Sequence, residues 1–150
     1  MQKHYTTVIA LLLAVIAGLW AYSQVRSPQA RYSTGAAGND AVKADLQRAL
    51  GAAKVAVAEY YASNAQWPAD NAAAGLPAAD TFRGESLRRL EVAGNTITLT
   101  FDQRSGVDGG RLVLTGDVSN PVMGPGWTCT SPDLDYIASV VPNCSYAARP

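Results

Sequence analysis

Cys129 and Cys144 are the residues of this chain best suited to covalent chemistry. They are its two cysteines. A bridge between them would close a loop of about 15 residues and stabilise the fold by about 3 kcal/mol in the chain-entropy model. The segment between them holds Pro132 and Pro142 and little periodicity, so it has weak means of holding itself to a domain. A bridge there would have a mechanical use. Zinc is poorly served, because the single histidine, His4, lies in the N-terminal tail. Two free thiols are the other reading. The export segment described below favours the bridge.

Other chemistry is sparse. Without a histidine beyond His4, most catalysis built on imidazole is closed to a folded domain. No nucleophile–base pair and no phosphate-cradling glycine loop is present. Asp102, Asp108, Asp117, Asp133 and Asp135 could in principle meet around calcium, but scattered loop aspartates are far more often turn formers. Arg83, Arg88 and Arg89 make a small basic group without the interleaved aromatic residues that a nucleic acid strand stacks on. With 12 basic and 12 acidic residues the formal charge is balanced, so no general attraction to nucleic acid or acidic lipid follows. The chain reads as a protein that is not an enzyme, with no cofactor, no metal and no nucleic acid partner. No external ligand can be named.

The element that must carry the rest is Asp40 to Asn64. Val42, Leu46, Leu50, Ala53, Val57 and Tyr60 recur at steps of four and three, which places them in one stripe along an α-helix. Lys43, Gln47, Lys54 and Glu59 fall mostly away from it. Asn39 or Asp40 can cap the first turn, Asn64 suits the left-handed residue that ends a helix, and Pro68 cannot continue one. Such a helix, of roughly 24 residues and about 36 Å, needs cover for its stripe.

The cover must come from downstream. Residues 65–84 read as loop, with Trp67 folding back on the helix end. Leu87–Val92 and Thr96–Phe101 read as strands, the second alternating Ile97, Leu99 and Phe101 against Thr96, Thr98 and Thr100. Gly94 and Asn95 between them suit positive φ. After a second turn at 104–110, Arg111–Thr115 is a third strand and Trp127–Thr130 a short fourth carrying Cys129. The expectation is an α+β unit, with the apolar face of three or four antiparallel strands on the helix stripe.

Ahead of this lies an uncharged run from Tyr5 to Tyr22. As a helix it measures about 27 Å against about 30 Å of bilayer hydrocarbon, with aromatic residues at both ends. A retained anchor fits it better than a signal peptide cleaved after Ser23, since the run is long and Trp20 and Tyr22 are bulky near a cut. Val8, Leu12, Val15 and Leu19 would then face membrane lipid. The organisation expected is an anchor or uncleaved signal at 1–23, a connector at 24–39 broken by Pro28, Gly35 and Gly38, and a globular domain at 40–150, long enough for one core.

Several short pieces now acquire meaning from their order. They are Ala58-Glu59-Tyr60-Tyr61 closing the helix, Trp67-Pro68, Asn71 with Ala74-Gly75, and Thr96 to Phe101. Gly126-Trp127-Thr128-Cys129 and Val141-Pro142-Asn143-Cys144 follow. In this order the chain resembles type IV pilins and pilin-like proteins from about Ala41 to the C-terminus. The resemblance implies a helical spine under a four-stranded antiparallel sheet and a disulfide-closed C-terminal region shaping an exposed filament surface. It implies other pilin subunits or pilus assembly proteins as partners. It implies an inner-membrane protein with a periplasmic domain, or a component of an extracellular pilus. A membrane-anchored accessory protein that does not polymerise is the alternative. The family's usual leader glycine, and the glutamate early in its apolar helix, have no counterpart before Gly18 and Asp40. On that ground the chain is expected to enter filaments as a minor component at most, or to stay in the inner membrane.

Overall fold

The amphipathic stretch forms α1, Ala36–Asn64, a helix of 29 residues. The structure is a computed structural model and describes residues 36–119 and 124–148. The expected anchor at 1–23 and most of the connector lie outside the described residues. All those described belong to the unit Tyr32–Pro150. Among them no helix is long and apolar enough to cross a membrane.

α1 starts ahead of Asp40, so neither Asn39 nor Asp40 is its cap, and it runs through Gly38. That glycine is buried, and a Cβ on it would lie 3.0 Å from the carbonyl oxygen of Arg104. Close packing against the 3₁₀ turn Gln103–Ser105 outweighs the roughly 1 kcal/mol by which glycine disfavours a helix. The other end also departs from expectation. Asn64 stays helical and donates its side-chain amide to the Tyr60 carbonyl at 2.9 Å. Ala65 takes the left-handed turn, at φ 51°, and donates its N–H to the Tyr61 carbonyl.

Five strands follow: β1 Leu87–Ala93, β2 Thr96–Phe101, β3 Arg111–Asp117, β4 Gly126–Ser131 and β5 Cys144–Tyr146. They lie in the order of the chain. The first three pairings are antiparallel, and β5 joins β4 in parallel. The sheet therefore exceeds the three or four antiparallel strands expected. β5 has three residues, too few for an alternation of period two to show, and only a crossover brings it to the edge.

The β1–β2 turn uses one left-handed residue, Gly94 at φ 61°, while Asn95 keeps a negative φ. Asn95 instead donates its side-chain amide to the Gly116 carbonyl at 3.0 Å, tying the hairpin to β3. A register shift between Leu87 and Arg89 lets Arg88 and Arg89 both face solvent while Leu87 and Leu90 both face inward.

The core lies between α1 and one face of this sheet. Val42, Leu46, Ala49, Ala53 and Val57 from the helix meet Leu90, Val92, Ile97, Leu99, Phe101, Leu112 and Leu114. Leu50 packs half-buried beside this row, where Ala49 takes the central place, and Tyr60 is half-buried. The opposite face carries Thr96, Thr98, Thr100, Thr115, Thr128 and Thr130 around Val113, β-branched residues that favour strands.

Candidate functional site: helix spine and closed sheet edge

Cys129 on β4 stands directly opposite Cys144 on β5, Cα to Cα 4.5 Å, and the two are bonded. The segment between them holds more than its sequence suggests. Leu134 and Ile137 are fully buried and Val140 is buried. Leu134 rests on Gly110, where a Cβ would lie 2.8 Å from its Cδ2. Ile137–Val140 forms the one-turn helix α2. Ser131 anchors the start, its hydroxyl donating to the Arg111 carbonyl at 2.6 Å and accepting from the Leu134 N–H at 2.9 Å. The Tyr136 hydroxyl donates to the Ser105 carbonyl. Burial pushes its pKa up, the Ser105 side chain pulls against that, and the Asp135 charge adds to the rise. The expectation that the segment holds itself weakly is thus corrected. Its apolar residues fall at steps of three, a period that prolines at both ends obscure.

The spine is fixed to the sheet by a buried acid that sequence reasoning missed. Asp45 is 1% exposed. Its Oδ2 accepts from the N–H groups of Ser86 and Leu87 at 2.6 and 2.7 Å and from the Ser86 hydroxyl at 2.9 Å. Its Oδ1 accepts from the Glu85 N–H and from Arg48, each at 2.9 Å. Burial pushes this carboxyl's pKa up, but the Ser86 and Glu85 amides and their neighbours together outweigh it, so the net shift is down. Room for the carboxylate comes from Gly84, where a Cβ would fall 2.0 Å from Oδ1. A signal was present: Asp45 lies one residue before Leu46, inside the apolar stripe, where a solvated acid has no place.

The far end of the spine is closed by aromatic rings. Tyr61 and Trp67 pack at 4.6 Å between centroids, and Trp67 meets Trp127 of β4 edge-on at 6.4 Å. Trp67 therefore folds back on the helix end, over Gly116, where a Cβ would lie 2.6 Å from the indole. Lys54 sits 5.9 Å above the Trp127 ring. Beyond, Asn71 treats the open edge of β1 as a strand would. Its amide donates to the Leu90 carbonyl at 2.9 Å and its oxygen accepts from the Val92 N–H at 2.6 Å.

The outward side of α1 differs from this dense inner side. Gly51, Ala52, Val55 and Ala62 are exposed along it, Val55 at 55%. Its C-terminal half borders a shallow apolar groove formed by Ala58, Tyr61, Ala62, Ala65, Val118 and Pro125, with Glu59 as its charge.

A spine with one face under a sheet and a disulfide at the last strand agrees with comparison to known families. The sequence model describing pilins, the subunits of a bacterial filament, matches residues 42–145. The chain belongs to the pilin family.

This pilin is similar to the fimbrial protein EcpC of Eikenella corrodens, 37% identical over 67% of this chain and 66% of that one. It is similar to the type IV major pilin PilE of Neisseria gonorrhoeae, 27% identical over 68% of this chain and 58% of that one. It is also similar to a fimbrial protein of Neisseria meningitidis serogroup A, 28% identical over 67% and 56% of the two chains. The matches thus span somewhat under two thirds of those relatives' own lengths.

In this pilin the five loop aspartates do not converge. Asp102 caps the 3₁₀ turn through the Arg104 N–H, Asp108 pairs with Arg88, Asp117 accepts from Ser119 and Asp133 from Arg111. Among the described residues no group of acidic, histidine or cysteine side chains could hold a metal ion. The arginines are also engaged. Arg83 donates to the Asp80 carbonyl, and Arg89 pairs with Glu91 at 3.0 Å.

Proposed function

We propose that this pilin is a structural subunit of a type IV pilus or related filament, held to its neighbours along the helical spine. The observation that supports this most directly is the two-sided helix. Its inner face is filled by the sheet, while Gly51, Ala52, Val55 and Ala62 leave an outward lane of small side chains. Small residues let a second helix approach closely, and Val55 adds apolar area to the same lane. The family is one of structural proteins. Its relatives' names, fimbrial protein and type IV major pilin, support the same reading.

In this reading Val8, Leu12, Val15 and Leu19 belong to a lipid-held anchor before assembly, and residues 40–150 stand outside the inner membrane. The sheet's threonine face and the Cys129–Cys144 edge are then displayed.

Sheared filaments and washed membranes from the source cell, blotted in parallel, test the proposal. A signal in the filament fraction is expected, as a major or a minor component. Val55→Glu should reduce it while leaving the melting temperature of the protein unchanged within a few degrees, because surface changes usually stay within about 0.5 kcal/mol. A signal confined to membranes, unaffected by Val55→Glu, would refute subunit function and favour a non-polymerising accessory role.

A further inference from the structure

We infer that the Cys129–Cys144 bond is made and broken only while β5 and the segment 131–143 are lifted from the core, so the folded domain resists thiol reductants. The two cysteines are 7% and 4% exposed and sit within the hydrophobic cluster itself, together with Leu134, Ile137 and Val140. Backbone bonds close the cover on both sides of β5. The Cys144 N–H donates to the Val141 carbonyl, and the Ala147 N–H to that of Ser131.

Thiol–disulfide exchange requires a thiolate to reach one sulfur. An external dithiol, as thiolate, bonds to one protein sulfur while the other leaves as thiolate. The reagent's second thiol then closes the reagent's own disulfide and releases the first sulfur. The protein gains two electrons and two protons, and the reagent loses them. Oxidation by a disulfide donor is the same sequence reversed. Neither direction can run on sulfurs enclosed by packed side chains. The oxidising step therefore belongs to a stage before β5 is seated, and reduction must wait for local opening of the kind that native proteins undergo in cooperative pieces. A bridge on a surface loop would carry no such order. The inference does not depend on whether the chain polymerises.

The test is the rate at which dithiothreitol reduces the full-length protein, followed by alkylation and mass measurement, in native buffer and in denaturant. Native reduction is expected to be at least about tenfold slower than in the unfolded chain, equivalent to about 1.4 kcal/mol of opening. It should also level off as reductant is raised. Ile137→Ala, or the milder Val140→Ala should the first not fold, is expected to speed native reduction several-fold. Val55→Ala, at an exposed position on the outward side of α1, should not. Reduction of the native protein at the unfolded rate, or native reduction that neither cover variant accelerates, would overturn the inference.

Discussion

Removing the Asp45 carboxylate should destabilise the domain more than any other single polar change. In Asp45→Ala the N–H groups of Ser86 and Leu87 lose their acceptor inside the protein, as does the Ser86 hydroxyl. A buried donor left without a partner costs about 1–3 kcal/mol, so the two amides alone amount to about 2–6 kcal/mol. At a few degrees per kcal/mol for a chain of this size, the melting temperature should fall by on the order of 10–20 °C. Asp45→Asn keeps one acceptor but turns an amide toward N–H donors, and should recover only part of the loss. The same carboxyl sets a pH dependence. Its pKa in the folded state is below the ordinary 3.8, so its stabilisation is complete above that value and is lost as pH falls through it toward the folded-state value. Asp117 is also shifted down, by the Ser119 hydroxyl and amide, so wild-type acid sensitivity alone does not isolate Asp45. Thermal melts of wild type and Asp45→Asn at neutral and strongly acid pH do. The gap between them should be wide at neutral pH and close in acid. A variant melting within a degree or two of wild type at neutral pH, or a gap independent of pH, would refute the cage as the link between helix and sheet.

Mass mapping without reductant should recover one linked peptide pair containing Cys129 and Cys144, and the double alanine variant should be less stable by about 3 kcal/mol in denaturant titrations. Leu46→Ala, deep in the stripe, should lose about 2–5 kcal/mol by thermal melting, and half-buried Leu50→Ala visibly less; equal losses would mean the stripe is misplaced. Ala65→Gly should raise stability by up to about 1 kcal/mol, because a left-handed conformation costs an alanine about 1–2 kcal/mol, offset in part by the entropy of an unfolded glycine.

The long helix and the β2 alternation were legible because their periods run for many residues and agree with burial. The same regularity placed Val42, Leu46, Ala53 and Val57, all of which lie in the core. What escaped was set by tertiary contact. Gly38 is a poor helix residue on its own terms, and only the Arg104 backbone beside it makes glycine the right choice. Asp45 reads as one more charge until Gly84 and the amides of 85–87 surround it. The 131–143 segment carries three inward apolar residues between prolines, too short a run to announce a period. β5 has no local signal apart from Cys144, and the bonded partner across the strand is what makes its place intelligible.

The two sheet edges bear on the proposal that association runs along the helix. An unpaired strand edge is a template for another chain, and natural sheets cover or blunt it. On β1 the Asn71 amide occupies the Leu90 carbonyl and the Val92 N–H, and the Gly84 N–H takes the Leu87 carbonyl. On the other side the edge is reduced to the three residues of β5, tied to β4 by a covalent bond and followed by the Ala147–Ser131 closure. With one edge occupied and the other kept short, sheet-to-sheet addition has little to build on. Across the threonine face little apolar area is offered, Val113 being half-buried among threonine side chains. The remaining surface rich in small apolar side chains is the outward side of α1, and on the proposed reading a subunit of this shape would direct its contacts along the spine and keep its sheet for display.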